Sequence, residues 1–178
     1  MKKGRLVFSF DAETNGLWGE AFAIGALVYD ENGVEVARFV GRCPIEGEVN
    51  EWVEANVLPQ VAGLPVTHRD YESLLADFSK FYLEYRKKEA DFIVHIGVPV
   101  EAKLLLDMRQ RGLIGDWDGP YPLLDLAGML LQAGEDPASV DAYVKKYALR
   151  VGEFKGGTHN PLYDSAAAAQ VYIHLSRR

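Results

Sequence analysis

The chain has 178 residues, 48% of them hydrophobic, which is enough for one domain with a sizeable core. Its 19 Lys and Arg stand against 26 Asp and Glu, a formal charge of -7, so no generally basic surface draws nucleic acid, and an anionic substrate needs local help from metal ions or a small basic patch. The single Cys excludes an intrachain disulfide, and no apolar run approaches the length of a membrane span.

MKKGRLVFSF leads straight into a strand-like stretch rather than a signal-peptide cleavage site, so a reducing, cytoplasmic setting is expected. In chain order, LVFSF is a short apolar run, and AFAIGALVYD, ENG and VEVARFV read as a hairpin, so three strands open the protein. NEWVEANVLPQV predicts a short helix stopped near Pro59. YESLLADFSKFYLEYRKK has helical spacing, with Leu74, Leu75, Phe78, Tyr82 and Tyr85 toward one side. DFIVHIGV reads as a fourth strand, EAKLLLDMRQRG as a helix ended by Gly112, and YPLLDL as a fifth strand that turns into a helix. SVDAYVKKYAL is a short helix, and NPLYDSAAAAQVYIHL a longer one with Asn160 as its cap and Pro161 at the first helical position. Three antiparallel strands followed by alternating helix and strand imply a single α/β domain over residues 1–178, a mixed sheet covered by helices.

FSFDAETNGLWGE, from Phe8, concentrates the chemistry. A calcium EF-hand loop counted from Asp11 needs a bidentate Glu at its twelfth position, where Phe22 stands. An aspartyl-nucleophile phosphatase needs two aspartates one residue apart, and the second acid is Glu13. Residues two apart on a strand share a face, so Asp11 and Glu13 present both carboxylates together, and such a pair repels unless a cation lies between them. Alone, the pair also fits a solvated strand end before a TNG turn. THNPLYDSAA adds His159 and Asp164, which alone fit a capping sequence with a surface His.

Together these segments resemble the three motifs of the DEDD family of 3′-to-5′ exonucleases, in the subgroup whose third motif is His, four residues, Asp. FDAETNGL (residues 10–17) is similar to the first motif, VHIGVPVEAKLLL (94–106) to the second and HNPLYD (159–164) to the third. LLDLAGM around Asp125 and SVDAYVKKYAL around Asp141 resemble the segments between the second and third. One departure stands out: Val100 and Glu101 replace the family's Phe and Asp, and Ile96 or Gly97 its Asn. The extra methylene displaces the Glu101 carboxylate, and a displacement of about 1 Å can cost on the order of 100-fold in rate. Glu101 also suits a helix N-terminus electrostatically.

The resemblance implies a ribonuclease H-like domain with a mixed five-stranded sheet. It implies a two-metal-ion phosphodiesterase that releases nucleoside monophosphates from the 3′ ends of single-stranded DNA or RNA. Asp11, Glu13, Glu101 and Asp164 become the ligands of two Mg²⁺ or Mn²⁺ ions, since oxygen donors favour these over zinc. His159 becomes the proton acceptor, a role suited to imidazole near neutral pH. Thr14 and Leu17 are expected to border the terminal nucleotide, Trp18 to stack on a base or else pack under the hairpin, and Lys155 to meet a phosphate. DNA or RNA preference and a homodimer stay open. So does a weakly active or non-catalytic nucleic-acid-binding module of the same fold. His95 is expected in the core or behind the ligands, and the run Arg86, Lys87, Lys88 at a solvated helix end.

Overall fold

The computed structural model describes residues 4–154 and 156–177. Strands β1 (Val7–Thr14), β2 (Ala21–Tyr29) and β3 (Glu35–Arg42) come first, then helices α1 (Glu51–Asn56), α2 (Leu58–Val61) and α3 (Tyr71–Lys87). After these come β4 (Asp91–Val94), α4 (Val100–Gln110), β5 (Leu123–Asp125), α5 (Leu126–Gln132), α6 (Val140–Tyr147) and α7 (Pro161–Leu175). The sheet order is β3-β2-β1-β4-β5, antiparallel across β1, β2 and β3 and parallel from β1 to β4 to β5. This is the mixed five-stranded sheet expected from the sequence. No described helix is long and apolar enough to cross a membrane.

Helices cover both faces, and strand alternation decides what each face holds. Phe8, Phe10 and Ala12 join the core beneath α3, while Val7 joins Ile93 and the α5 to α7 side. Phe8 is fully buried and meets the rings of Phe10, Phe78, Phe81, Tyr82, Tyr85 and Phe92 with centroids within 6.5 Å. Truncating so well packed a ring typically costs about 3–5 kcal/mol. The five apolar residues singled out on α3 are all buried. Asp70 caps that helix by accepting from Ser73 N at 2.8 Å, and Ser73 Oγ answers the Asp70 amide in a reciprocal box.

Two expectations need correcting. Pro59 does not stop a helix: α1 ends at Asn56, and Pro59 sits in the first turn of α2, where its missing N–H is no loss. The fourth strand ends at Val94 rather than running to Val98. Ile96 has φ 56, and the Ile96 and Gly97 amides donate to Asp125 instead of to a neighbouring strand. That early end opens the cleft described next.

Candidate active site

Because Val7 faces α7, the alternation of β1 turns Ser9, Asp11 and Glu13 toward the same side. Asp11 is paired in register with Gly25 of β2, and α7 crosses the sheet there. A Cβ on Gly25 would lie 2.5 Å from the Pro161 carbonyl carbon and 2.6 Å from its oxygen, so only glycine admits the helix this closely. Ser165 Oγ locks the contact by donating to Gly25 O at 3.0 Å and to Pro161 O at 2.6 Å. Asn160 caps α7 through Leu162 N at 3.0 Å, with Pro161 at the first position, as the sequence predicts. Asp164, on the first turn, is thereby carried to β1. Carboxylate oxygens of Asp11, Glu13 and Asp164 lie within 4.8 Å of one another.

Glu101 approaches from the first turn of α4 and is only 4% exposed. Its Oε1 accepts from the Ala12 amide at 3.1 Å, so it is tied to β1 between the two strand acids rather than joining the tight trio. Asp125, at the end of β5, positions the segment before α4. Its carboxylate accepts from Ile96 N at 3.1 Å, Gly97 N at 3.0 Å and Ala127 N at 2.9 Å.

Burial and mutual repulsion make these closely packed acids resist ionisation. Burial and the neighbouring Glu101 raise Asp11 well above the usual carboxylate range. Burial, then Asp11, Asp164 and Glu101, push Glu13 to about 10. Burial and Asp11 lift Asp164 to about 9, against the His159 amide that favours its charged form. Glu101 rises to about 7 through burial, opposed by its own amide and that of Ala12. Asp11 Oδ2 is buried with no hydrogen-bond donor among the described residues. An all-oxygen donor set with an orphaned buried oxygen fits a hard divalent cation.

His159 precedes α7 with φ 70, in the left-handed region. Its amide donates to Asp164 Oδ2 at 2.8 Å, and its Nδ1 lies 3.9 Å from Glu13 Oε1. The indole of Trp52 stands edge-on to the imidazole, centroids 5.3 Å apart at 88°. A cleft of about 630 Å³ joins these groups, within the range of about 300–1,000 Å³ usual for ligand pockets. Thr14, Leu17, Asn50, Trp52, Ile96 and Thr158 also line it, and no described lining residue is Lys or Arg.

Of the expected substrate contacts, Thr14 and Leu17 line the cleft, whereas Trp18 is 72% exposed, neither lining it nor packed under the hairpin. Lys155 lies outside the described residues. His95 does line the cleft, with Nε2 2.9 Å from Pro137 O. At the end of α3, Lys87 and Lys88 are exposed as expected, while Arg86 Nε donates to Gly119 O at 3.1 Å. Sequence reasoning missed Trp52 and Ile96. Trp52 left one trace, a 56% exposed indole on a short acidic helix, an unusual place for so apolar a ring. Asn15 holds that helix in place by accepting from Asn50 N at 2.8 Å and donating to Glu48 O at 2.9 Å.

No protein-family model and no curated protein matches the chain. Among solved structures, it superposes on Exonuclease X in complex with 5′ overhanging duplex DNA over 96% of this chain and 91% of that one, with TM-score 0.58 and 18% identity. It also superposes on a 3′-exonuclease in 3′-end specific recognition of a histone mRNA stem-loop, over 99% of this chain and 84% of that one, with TM-score 0.67 and 9% identity. The chain has the fold of these two exonucleases. At 18% and 9% identity the likeness is one of fold. The acidic trio and His159 therefore stand on this chain's own geometry.

Proposed function

We propose that the protein is a divalent-metal-dependent 3′-to-5′ exonuclease that releases nucleoside monophosphates from single-stranded nucleic acid. The observation that carries this reading is the convergence of the Asp11, Glu13 and Asp164 carboxylates within 4.8 Å, together with a buried Asp11 oxygen that has no donor among the described residues. These three residues would hold Mg²⁺ or Mn²⁺, with Glu101 serving a second ion. Bound there, the ions supply Lewis acidity toward a phosphodiester, an activated water and a stabilised leaving oxygen.

The chain's own groups divide the remaining work. His159, 3.9 Å from Glu13 through Nδ1, accepts the proton of the attacking water on its imidazole. Thr14 and Leu17 border the terminal sugar and base, and Trp52 and Ile96 add apolar walls that a base can press against, whatever its identity. Such walls favour an unpaired end over a duplex, whose bases are already stacked. Both DNA and RNA ends suit the reading, because no described lining residue is committed to a 2′-hydroxyl. The buried Cys43 thiol fits a reducing cytoplasmic setting.

The test uses 3′- and 5′-labelled single-stranded DNA and RNA with Mg²⁺ or Mn²⁺. Wild type should shorten the strand stepwise from the 3′ end, and Asp11→Ala and His159→Ala should each lose at least about 100-fold in rate. Equal rates in wild type and Asp11→Ala would refute the assignment. Metal-independent binding that survives both substitutions, with no cleavage by wild type, would leave a non-catalytic binding module.

A further inference from the structure

The segment bearing His159 reaches the acids across a short run that contains Gly156 and Gly157, residues that by themselves hold a loop only loosely. The loop is nevertheless fastened from a third direction. Asp141, on the first turn of α6, accepts from Thr158 Oγ1 at 2.8 Å through Oδ2 and from Tyr163 Oη at 2.7 Å through Oδ1. Thr158 is the residue before His159, and Tyr163 the residue before Asp164. One carboxylate thus grips the immediate neighbours of both groups that the third motif contributes to the site. We propose that Asp141 is a positioning residue for the reaction, a latch that closes the His159 loop on the acidic trio by holding Thr158 and Tyr163 together.

Each part of the geometry fits this role. Among the described residues the loop is also held by the His159 amide to Asp164 at 2.8 Å and the Asn160 amide to Gly157 O at 3.0 Å, which lie on the cleft side or within the loop itself. Among the described residues it is the Asp141 carboxylate that ties Thr158 to a separate helix. Capping of α6 does not need it, because Ser139 Oγ already accepts from Ala142 N at 3.1 Å. Hydrogen bonds to a charged acceptor are the stronger kind, and two on one carboxylate hold their donors at a fixed separation. A latch that keeps the imidazole within reach of the trio raises the fraction of molecules ready to react and adds nothing to ground-state substrate contact. The role rests on the proposed exonuclease reading, but the latch itself is testable without it.

The experiment compares Asp141→Ala, Thr158→Val and Thr158→Ser in two measurements. The first is amide hydrogen exchange of residues 157–160 in the metal-free protein, together with Trp52 emission in a Trp18→Phe, Trp117→Phe background, where the indole against His159 reports loop position. The second is steady-state cleavage of a labelled oligonucleotide. Asp141→Ala and Thr158→Val should speed exchange at residues 157–160 at least tenfold, shift Trp52 emission, and lower kcat about 10- to 100-fold at unchanged KM. Thr158→Ser, which keeps the hydroxyl, should restore all three. The double variant Asp141→Ala, Thr158→Val should be no worse than Asp141→Ala alone, because that substitution already removes the Thr158 bond together with the Tyr163 one. Unchanged exchange and emission in Thr158→Val would overturn the latch, even if Asp141→Ala is destabilised. Fast exchange in the variants of a wild type that cleaves nothing would instead sink the exonuclease reading and leave the latch standing.

Discussion

Asp11 Oδ2 is enclosed by protein and receives no donor from the described residues, while three other carboxyls crowd the same cleft. Glu101 is the member whose length is unusual, and its Oε1 spends that length on the Ala12 amide, 3.1 Å away. Glu101→Asp draws the carboxylate back by a methylene and breaks that bond. Calorimetric titration with Mn²⁺ should then show affinity weakened by roughly tenfold, in line with the cost of small displacements at a catalytic centre. Unweakened affinity would mean that the shorter acid serves as well, and that the longer one is incidental. At this scale the sequence is informative where chemistry is local. Asp11 and Glu13 share a face by strand period alone, and Asp164 follows His159 at a fixed helical offset. Trp52 was not legible as a cleft residue, because its place depends on Asn15 reaching Asn50 across 35 positions of chain.

Between elements, the decisive contact is α7 lying on β2 at Gly25. The approach of the Pro161 backbone leaves no space for a methyl group, so Gly25→Ala must push the start of α7 off the sheet. Overpacking of this kind costs about 1–3 kcal/mol, and the expected fall in Tm is about 2–4 °C per kcal/mol for a chain of this size. Mn²⁺ affinity should fall as well, since Asp164 leaves its partners. A variant that lost stability but kept full metal affinity would show that the trio tolerates movement of α7. Hydrophobic alternation and helical spacing made every strand and most helices readable, because each buries one face against a neighbour. They could not show that β4 stops at Val94, since HIGV continues the apolar run. The chain leaves the sheet there because Asp125, thirty-one residues further on, captures two of its amides.

Across the whole molecule the acids set a pH dependence. Glu13 and Asp164 have ordinary values of 4.5 and 3.8, against about 10 and about 9 in the folded protein. Between those limits the folded chain holds more protons than the unfolded one, so this contribution to stability is complete below about pH 4 and is lost as pH rises through about 9–10. In chelator, Tm should therefore decline from pH 6 to pH 9, and Mn²⁺ should flatten the decline by replacing the protons. Identical slopes with and without Mn²⁺ would show that no cation neutralises the trio. The net charge of -7 adds to the need for such neutralisation before a phosphodiester can approach.

The central strand supplies two of the acids, whereas Leu17, Trp52 and Ile96 come from a turn, a two-turn helix and a connecting segment at the periphery. Shape and reactivity are thus written on separate parts of the chain. Replacing those three rim residues can retune which guest is admitted without disturbing the inner oxygens, which makes the domain a scaffold whose appetite is adjustable at little risk to its chemistry.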